Sequence, residues 1–478
     1  MKIHLLGIGG TGMASLAGLL MQAGHAITGT DGPLYPPMSD QLENLGIIPF
    51  DGYSPENIDK ANPDLVIVGN VIKKENPEVQ EVLKRGIEYL SMPEAIGTFF
   101  LRSRTPVVIA GTHGKTTCST MAAWLLKSAG INPGFLIGGI GPNFGKSYSL
   151  GRDPHFVIEG DEYDSAFFDK EPKFLHYMPN GLLITSIEFD HADIYRDLNH
   201  VMDSFKKLVG TVPPDGVIIA NSDDANVMKV VEGAEARVVT FGLLKNAAYH
   251  PESIDVDEKG TSFKLNKSEE TFVMPLWGAH NLQNAVGVIA LLLESGVSAD
   301  KITSGLKEFG GVKRRQECIF DEKGINIIDD FAHHPTAVEK TIESMRLRFP
   351  GKTLWAVFEP RSNTSRRNFF EDEFRKALSK ADRVLIAKPY NADAVPKEER
   401  LNVRKIASEI VKSGVEAHAV DEPDHIVEFI MRGIDHGDVI LIMSNGAFDG
   451  IGEKLKTSMG KRLVFFDKDK ITFGKVPR

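Results

Sequence analysis

The chain is almost without cysteine, since Cys118 and Cys318 are the two among 478 residues. This excludes a disulfide-stapled secreted scaffold and favours a reducing compartment. Long apolar runs are also missing: the longest apolar helical stretch, residues 285–293, is far shorter than the roughly 20 residues that span a bilayer. The first seven residues are too short and too interrupted by glycine to act as a signal peptide. We therefore predict a cytoplasmic protein without a membrane partner.

Positive charge is in deficit, with 55 Lys and Arg against 65 Asp and Glu and a net charge of -10. An acidic surface disfavours non-specific binding to nucleic acid, so no nucleic-acid partner is predicted. Small anionic ligands remain possible, because a glycine-rich turn or a few lysines override the global charge locally. The chain is 42% hydrophobic and 25% charged, which is ordinary for a globular protein of several domains.

Short β-branched runs alternate with amphipathic helical stretches along most of the chain. This alternation predicts the α/β class, with helices packed on parallel sheets. Residues 235–275 lack helical periodicity and predict a meander of β-strands, and the paired glycines 310–311 predict a linker. The economical interpretation is three α/β domains, at residues 1–105, 106–312 and 313–478.

A first glycine loop follows the strand predicted at residues 2–7. Its sequence, Gly7-Ile8-Gly9-Gly10-Thr11-Gly12, matches G-x-G-x-x-G and precedes a predicted helix. Glycines there permit a tight turn that brings backbone N–H groups to a diphosphate at the helix N-terminus. Asp31 ends the second strand, where an acidic residue typically binds a ribose. The motif alone favours NAD or FAD, but a UDP-sugar presents the same groups, and a purely structural turn is a third alternative.

A second loop follows the strand predicted at residues 107–110. Its sequence is Gly111-Thr112-His113-Gly114-Lys115-Thr116-Thr117. A Gly-Lys-Thr core suits a phosphate loop, in which Lys115 reaches the terminal phosphates and the Thr116 hydroxyl ligates Mg²⁺. The loop is a shortened variant of G-x-x-x-x-G-K-[ST], because Ile109 occupies the position of the first glycine. We predict an ATP site, and an accidental Gly-Lys-Thr at a helix start is the alternative.

Acidic groups follow two strands downstream of that loop. Glu159-Gly160-Asp161-Glu162 ends one predicted strand, and Glu188-Phe189-Asp190-His191 ends another. Carboxyl ends of parallel strands meet at one edge of a sheet, so Glu159 and His191 are expected to lie near Lys115 and hold Mg²⁺. The alternatives are a solvated acidic turn and a structural histidine.

Further polar groups stand at helix starts and strand ends in the second half of the chain. His280, Asn281 and Asn284 begin an apolar helix, although Asn281 alone fits a helix cap. Asp330 and His333 follow a buried strand, where they suit a nucleotide ribose or a cation. Arg361, Ser362 and Asn363 follow another strand and are also compatible with an ordinary loop.

Taken together, these segments resemble the Mur ligase family, the ATP-dependent amide-forming enzymes of peptidoglycan synthesis. The resemblance covers nearly the whole chain, and it rests on several motifs in one order. These are GIGGTGM, AGTHGKTT, EGDEYDSAF, SIEFDHADIY, GAHNLQNA, VKRRQE and DDFAHHPTAV.

The resemblance implies a fold and a set of ligands. The fold would comprise a Rossmann-like N-terminal domain, a central ATPase-like domain with a phosphate loop and a Rossmann-like C-terminal domain, which close before chemistry. Mg²⁺ would be held by Thr116, Glu159 and His191, and Lys115, Glu159 and His191 would be catalytic. UDP-N-acetylmuramate would contact Gly7, Ile8, Gly9, Gly10, Thr11, Gly12, Met13 and Asp31. ATP would contact residues 111–117 with His280, Asn281, Asn284, Arg315, Asp330 and His333, and a peptide would contact Arg361, Ser362, Asn363, Ser444 and Asn445.

Within the family, the segments DGPLYPPMS, YDSAFFDK, EPRSNT and MSNG favour the recycling branch. That branch joins UDP-N-acetylmuramate to L-alanyl-γ-D-glutamyl-meso-diaminopimelate through an acyl phosphate. The first glycine loop is closer to the branch that adds free L-alanine, which is the alternative function. Two other classes compete: a nicotinamide-dependent oxidoreductase, which needs no ATP loop, and a non-catalytic nucleotide sensor, which needs no metal segments. A monomer or weak dimer is expected.

Overall fold

A computed structural model describes residues 1–34, 38–192 and 194–469, and the side chains as far as residue 460. Tyr35, Pro36, Pro37 and Asp193, which belong to two of the family-like segments, lie outside the described residues. The chain forms two compact units. The first comprises Met1–Asp255, Lys259–Leu276 and His280–Val312, and the second comprises Val256–Glu258, Trp277–Ala279 and the chain from Lys313 onward.

The first unit begins with a parallel five-stranded sheet in the order β3-β2-β1-β4-β5. Its central strand β1 is buried from Ile3 to Leu6, as expected where helices cover both faces of a parallel sheet. The strands are β1 (Lys2–Leu6), β2 (Ala26–Asp31), β3 (Phe50–Asp51), β4 (Leu65–Val68) and β5 (Tyr89–Ser91). The helices are α1 (Thr11–Gln22), α2 (Met38–Asn44), α3 (Pro55–Ala61), α4 (Pro77–Arg85) and α5 (Met92–Ile96).

A second sheet of seven strands follows in the same unit, in the order β12-β11-β10-β6-β9-β7-β8. Strands β6, β9 and β10 are adjacent and parallel, so their carboxyl ends lie at one edge. The strands are β6 (Thr105–Ala110), β7 (Gly134–Leu136), β8 (Tyr148–Ser149), β9 (His155–Gly160), β10 (Gly181–Ile184), β11 (Val217–Asn221) and β12 (Arg237–Phe241). The helices are α6 (Lys115–Ser128), α7 (Leu198–Val209) and α8 (Ala225–Val231).

The predicted meander at residues 235–275 proved partly right. Three strands form a separate small sheet: β13 (Pro251–Asp257), β14 (Gly260–Leu265) and β15 (Thr271–Met274). The first strand of that region, β12, instead pairs in parallel with β11. Two helices complete the region, α9 (Ala279–Glu294) and α10 (Ala299–Lys307). Because α9 begins at Ala279, Asn281 lies inside its first turn and is not its N-cap.

The second unit is built on a six-stranded sheet in the order β16-β17-β21-β18-β19-β20, with β16 antiparallel to β17. Apolar clusters cover both faces of this sheet. The strands are β16 (Glu317–Glu322), β17 (Ile325–Asp330), β18 (Leu354–Phe358), β19 (Arg383–Ala387), β20 (Glu416–Val420) and β21 (Val439–Met443). The helices are α11 (Pro335–Arg348), α12 (Glu371–Leu378), α13 (Val403–Lys412), α14 (Pro423–Gly433) and α15 (Ile451–Asp469).

The α/β class with parallel sheets is confirmed. One element differs in kind: the helix predicted over residues 92–100 changes after α5 into a π-helical turn, Gly97–Leu101. Among the described residues, none of the helices combines the length and the apolar character that crossing a membrane requires. The boundaries at residues 105 and 312 stay predictions.

Candidate active site

The first glycine loop connects β1 to α1, and its glycines are required by close packing. Gly7 has φ +80°, a left-handed conformation that favours glycine. A Cβ on Gly9 would lie 2.3 Å from the Leu34 side chain, and a Cβ on Gly12 would lie 2.7 Å from Met92. A larger residue at Gly9 or Gly12 would therefore have to displace the Leu34 or Met92 side chain.

The Asp31 carboxylate holds this loop in place. It accepts hydrogen bonds from the Gly9 N–H at 2.7 Å and from the Gly32 N–H at 2.8 Å. The Tyr53 hydroxyl donates to the same carboxylate at 3.3 Å. Ile8 is buried in the apolar core and therefore offers a ligand only its backbone. Ribose binding by Asp31 stays a prediction, since the structure places its carboxylate on the loop.

The second loop connects β6 to α6 and is anchored by the chain that follows β10. The Thr112 N–H donates to the Ser186 carbonyl at 2.8 Å, and the Thr185 hydroxyl donates to the His113 carbonyl at 2.6 Å. Helix α6 begins at Lys115, and its N-cap residue, Gly114, has no side chain that could cap the first turn. Uncapped N–H groups at a helix start suit a phosphate. The loop therefore fits the phosphates of ATP.

Gly114 ends this loop with φ +83°, and a Cβ there would lie 2.6 Å from the Asn284 Oδ1. The predicted ATP residue Asn284 of α9 is thus brought against the phosphate loop. We predict that Gly114→Ala raises KM for ATP roughly tenfold, because the methyl group displaces the polar side chain of Asn284, which is predicted to contact the nucleotide. Measuring KM for ATP in the variant tests this.

Gly130→Ala is the matched control. Gly130 has φ +87°, and within the described residues no neighbouring atom lies within 4 Å of the position that a Cβ there would take. Both variants carry the same left-handed backbone strain, about 1 kcal/mol. Equal values of KM for ATP in the two variants would contradict the role assigned to Asn284.

Lys115 lies between the phosphate loop and a buried carboxylate. Its Nζ donates to the Gly111 carbonyl at 2.6 Å and to Glu162 Oε2 at 2.8 Å. His191 Nε2 lies 3.2 Å from the other oxygen of Glu162. The carboxylate of Glu162 thus joins two residues predicted to be catalytic, although it is absent from the predicted site.

Thr116 and Glu159 meet beside this cluster, as the sequence predicts. The Thr116 hydroxyl donates to Glu159 Oε2 at 3.1 Å, and the Gly138 N–H donates to Oε1 at 2.6 Å. Hydroxyl and carboxylate oxygens are the donors that Mg²⁺ prefers, so these two residues fit the predicted ion. The contact of His191 is with Glu162, and an imidazole suits softer metals better. Ligation of Mg²⁺ by His191 therefore stays a prediction with less support.

The cluster contains basic and acidic side chains in direct contact with one another. Burial alone would lower the pKa of Lys115, but Glu162 and Asp161 outweigh it and raise that pKa. Burial alone would raise the pKa of Asp161, but Lys173 and Lys115 outweigh it and lower that pKa. Burial alone would lower the pKa of His191, but the hydrogen bond to Glu162 and the charges of Asp190 and Glu162 together outweigh it and raise that pKa. The cluster therefore holds ionised groups away from bulk water.

His280 and Asn281 lie in the first unit, and Arg315, Asp330 and His333 lie in the second. The buried Asp330 carboxylate accepts from the Gln316 N–H at 2.8 Å and from the Ala332 N–H at 2.7 Å. Burial raises the pKa of this group. The Arg315 guanidinium lies over the Phe331 ring, 4.6 Å from its centroid. The Asp330 carboxylate thus holds its own loop, and its contact with ATP, like that of His333, stays a prediction.

The predicted peptide residues meet at the carboxyl ends of β18 and β21. The Arg361 guanidinium lies 3.8 Å from the Tyr390 ring centroid and 3.6 Å from the Glu359 carboxylate. The Ser444 hydroxyl donates to the same carboxylate at 2.5 Å. A Cβ on Gly446 would lie 2.0 Å from the Arg361 Nε. Glu359, which the predicted site lacks, is thus the residue that joins Arg361 to Ser444.

The other three predicted peptide residues differ in their partners. Ser362 accepts from the Ser365 N–H at 3.0 Å and closes a local turn, and Asn363 accepts from Arg366. The Asn445 Oδ1 is buried, and no hydrogen-bond partner for it occurs within the described residues. A buried carbonyl oxygen without a donor is costly unless a ligand supplies one. Asn445 is therefore the better candidate for contact with a peptide.

The residues that the sequence did not single out share one property: each pairs with a residue distant in the chain. Glu162 pairs with Lys115, and Lys173 Nζ pairs with Asp161 Oδ2 at 3.0 Å. The acidic run at residues 159–162 was visible in the sequence. Which of its carboxylates faces Mg²⁺ and which faces lysine depends on tertiary packing, which no local spacing specifies.

Two loops, each following a central parallel strand, and an ionised cluster beside the second fit an enzyme that binds two phosphate-bearing ligands. Three domain models match the chain: the Mur ligase family catalytic domain at residues 2–104, the Mur ligase middle domain at 109–292 and the Mur ligase glutamate ligase domain at 314–446.

Full-length relatives agree with these matches. A UDP-N-acetylmuramate–L-alanyl-γ-D-glutamyl-meso-2,6-diaminoheptandioate ligase of Escherichia coli K12 is 38% identical, over 97% of this chain and 99% of the relative. A UDP-N-acetylmuramate–L-alanine ligase of Acetivibrio thermocellus is 32% identical over 94% of both chains. The crystal structure of a murein peptide ligase from Psychrobacter arcticus is 34% identical, with a TM-score of 0.71 over 96% of this chain and 99% of that one.

The chain belongs to the Mur ligase family. It is an ATP-dependent amide ligase that uses Mg²⁺, and its three-domain architecture is that of the family. An oxidoreductase and a non-catalytic sensor are thereby excluded. The roles of individual site residues stay predictions.

Proposed function

We propose that this enzyme joins the carboxyl group of UDP-N-acetylmuramate to the amino group of L-alanyl-γ-D-glutamyl-meso-diaminopimelate, in peptidoglycan recycling. The 38% identical relative from E. coli carries this activity in its name, and it matches over 97% of the chain. The relative named for L-alanine is less similar, at 32% identity. The peptide acceptor is therefore the better-supported one.

One observation carries the assignment of the sugar nucleotide. A cavity of about 370 Å³ in the first unit extends from the first glycine loop, at Gly10 and Thr11, to Glu159 and Asp161. A nucleotide sugar with its diphosphate on the glycine loop fits this span, because its sugar would then point towards the phosphate loop. NAD would need a hydride acceptor at that end, and the carboxylates there instead suit Mg²⁺ and phosphoryl transfer.

The proposed reaction has two steps. The muramoyl carboxylate attacks the γ-phosphorus of ATP, which forms an acyl phosphate and releases ADP. The peptide amino group then attacks the acyl carbon and gives up a proton, and the tetrahedral intermediate expels inorganic phosphate. The first step depends on positioning and charge neutralisation. Lys115, fixed by Gly111 and Glu162, supplies the positive charge at the phosphate loop.

Mg²⁺ would be held by Thr116 and Glu159, with His191 as a third predicted ligand, and supplies further charge neutralisation at the phosphates. In this chain the Gly138 N–H fixes one Glu159 oxygen, so the other faces Thr116. Support of this kind orients a ligating carboxylate before the ion binds.

The acceptor provides a testable prediction: the tripeptide has a higher kcat/KM than free L-alanine. The peptide carries carboxylates that L-alanine lacks, and Arg361 can pair bidentately with one of them. Arg361→Ala should therefore lower kcat/KM for the tripeptide at least about tenfold, the value of a lost charged hydrogen bond. The measurement compares both acceptors in both proteins.

Arg404→Ala serves as the control, because Arg404 lies on the exposed side of α13 and pairs with Asp421. It should leave both acceptors unaffected. If the unmutated enzyme uses L-alanine better than the tripeptide, the recycling assignment is wrong. The biosynthetic L-alanine ligase, favoured by the 32% identical relative, then replaces it.

A further inference from the structure

Lys173 is a mostly buried cation that the proposed mechanism has not used. It begins a short helical turn, Lys173–His176, after the acidic run. Its side chain is 15% exposed, and its Nζ donates to Asp161 Oδ2 at 3.0 Å. The ammonium also lies 5.4 Å from the Tyr163 ring centroid. Asp161 and Tyr163 thus hold the charged end of this long side chain in one place.

Lys173 lies in the wall of the cavity, where its ammonium group can contact a ligand. Lys173 lines the cavity together with Glu159 and Asp161, and the first glycine loop lines the same cavity. Among the described residues that line this cavity, Lys173 is the single cation. An anion that enters between two carboxylates is repelled by both. A ligand with a carboxylate at this end therefore needs Lys173.

The reacting group of the sugar nucleotide must reach this end. Glu159 contacts Thr116 of the phosphate loop at 3.1 Å, so the γ-phosphate of ATP is expected near Glu159. The glycine loop would hold the diphosphate at the other end of the cavity. The carboxylate that attacks ATP therefore lies on the side of Glu159, Asp161 and Lys173.

We propose that Lys173 binds the muramoyl carboxylate and selects sugar nucleotides that carry it. The inference rests on the proposed function, which it deepens by naming the residue that recognises the acid. An ammonium group has three N–H donors. One of them is directed at Asp161, which leaves donors for the two oxygens of the substrate carboxylate. Asp161 would act as a positioning residue by fixing the ammonium.

Two ligands that differ in this one group provide the test. UDP-N-acetylmuramate carries the lactyl carboxylate, whereas UDP-N-acetylglucosamine lacks the lactyl group. We expect Lys173→Met to weaken binding of UDP-N-acetylmuramate at least about tenfold, the value of one charge-assisted hydrogen bond. Binding of UDP-N-acetylglucosamine should change less than about twofold. Lys173→Arg, which keeps the charge, should retain most of the preference for the acid. Titration calorimetry measures both ligands.

Lys170→Met is the matched control from the same segment. Lys170 also pairs with an aspartate, Asp164, at 2.7 Å, but its side chain is 68% exposed. The Lys170→Met variant should bind UDP-N-acetylmuramate and UDP-N-acetylglucosamine with unchanged affinities. KM for ATP, measured in parallel, should stay the same in Lys173→Met, because Lys173 is assigned to the sugar nucleotide.

The outcomes separate this inference from the function on which it rests. If Lys173→Met weakens the binding of both ligands by the same factor, Lys173 has a structural role and the inference is overturned. If the variant keeps its preference for the acid, the inference is overturned as well, and the proposed function stands. If the unmutated protein binds neither ligand, the proposed function itself fails.

Discussion

Replacing Lys115 with methionine lowers kcat for ligation at least about 100-fold, because a positioned cation at a transferring phosphoryl group typically contributes that much. The substitution also removes one partner of a mostly buried ion pair, since Glu162 is 3% exposed. Glu162 keeps its contact with His191, but losing the lysine charge beside a buried carboxylate is destabilising, so the melting temperature falls as well. Activity and stability must therefore be measured together.

The double variant Lys115→Met with Glu162→Gln separates the two effects. It removes both charges, so its melting temperature should be higher than that of Lys115→Met and closer to that of the unmutated enzyme. Ligation should stay abolished. Lys127→Met is the control on the same helix, since Lys127 is an exposed residue of α6, and it should be fully active. Ligation at the normal rate in a folded Lys115→Met variant would show that the loop is structural.

Glu159→Gln lowers ligation by roughly 100-fold at a Mg²⁺ concentration that saturates the unmutated enzyme, and it raises the Mg²⁺ concentration needed for half-maximal rate. The amide keeps an oxygen for the Gly138 N–H and a polar contact with Thr116. The fold should therefore persist, and the change is the loss of one negative charge beside the ion.

A Mg²⁺ titration of the rate, with melting temperatures measured in parallel, tests this prediction. Glu232→Gln removes an exposed carboxylate after α8 and should leave the titration unchanged. An unaltered Mg²⁺ dependence in Glu159→Gln would remove Glu159 from the metal site. Recovery of part of the rate at high Mg²⁺ is expected, because Thr116 still offers its hydroxyl oxygen.

Much of the fold could be predicted because the strongest patterns are local. Both loops stand where a buried strand ends and a helix begins, so a strand, a glycine loop and a helix are predicted in that order at both places. The structure begins these helices at Thr11 and Lys115. The departures have physical causes. Strand β12 joined the large sheet, since β-branched residues do not reveal which strand they pair with.

The site could be predicted less completely. Asp31 is predicted to bind a ribose, which stays a prediction, and the structure adds that its carboxylate accepts hydrogen bonds from the backbone of Gly9 and Gly32. An acidic residue at a strand end serves either purpose, and the sequence does not distinguish them. Glu162 and Lys173 were missed for a related reason: their partners lie 47 and 12 positions away, and such pairs are set by tertiary packing.

The central claim is that a sugar carboxylate is activated as an acyl phosphate, and isotope transfer tests it most directly. UDP-N-acetylmuramate labelled with ¹⁸O in both carboxylate oxygens is incubated with enzyme, ATP, Mg²⁺ and L-alanyl-γ-D-glutamyl-meso-diaminopimelate. The account predicts that the product is UDP-N-acetylmuramoyl-tripeptide with one labelled oxygen in its new amide carbonyl, and that each inorganic phosphate carries the other labelled oxygen. Unlabelled phosphate, or ADP formation without a ligated product, would contradict it.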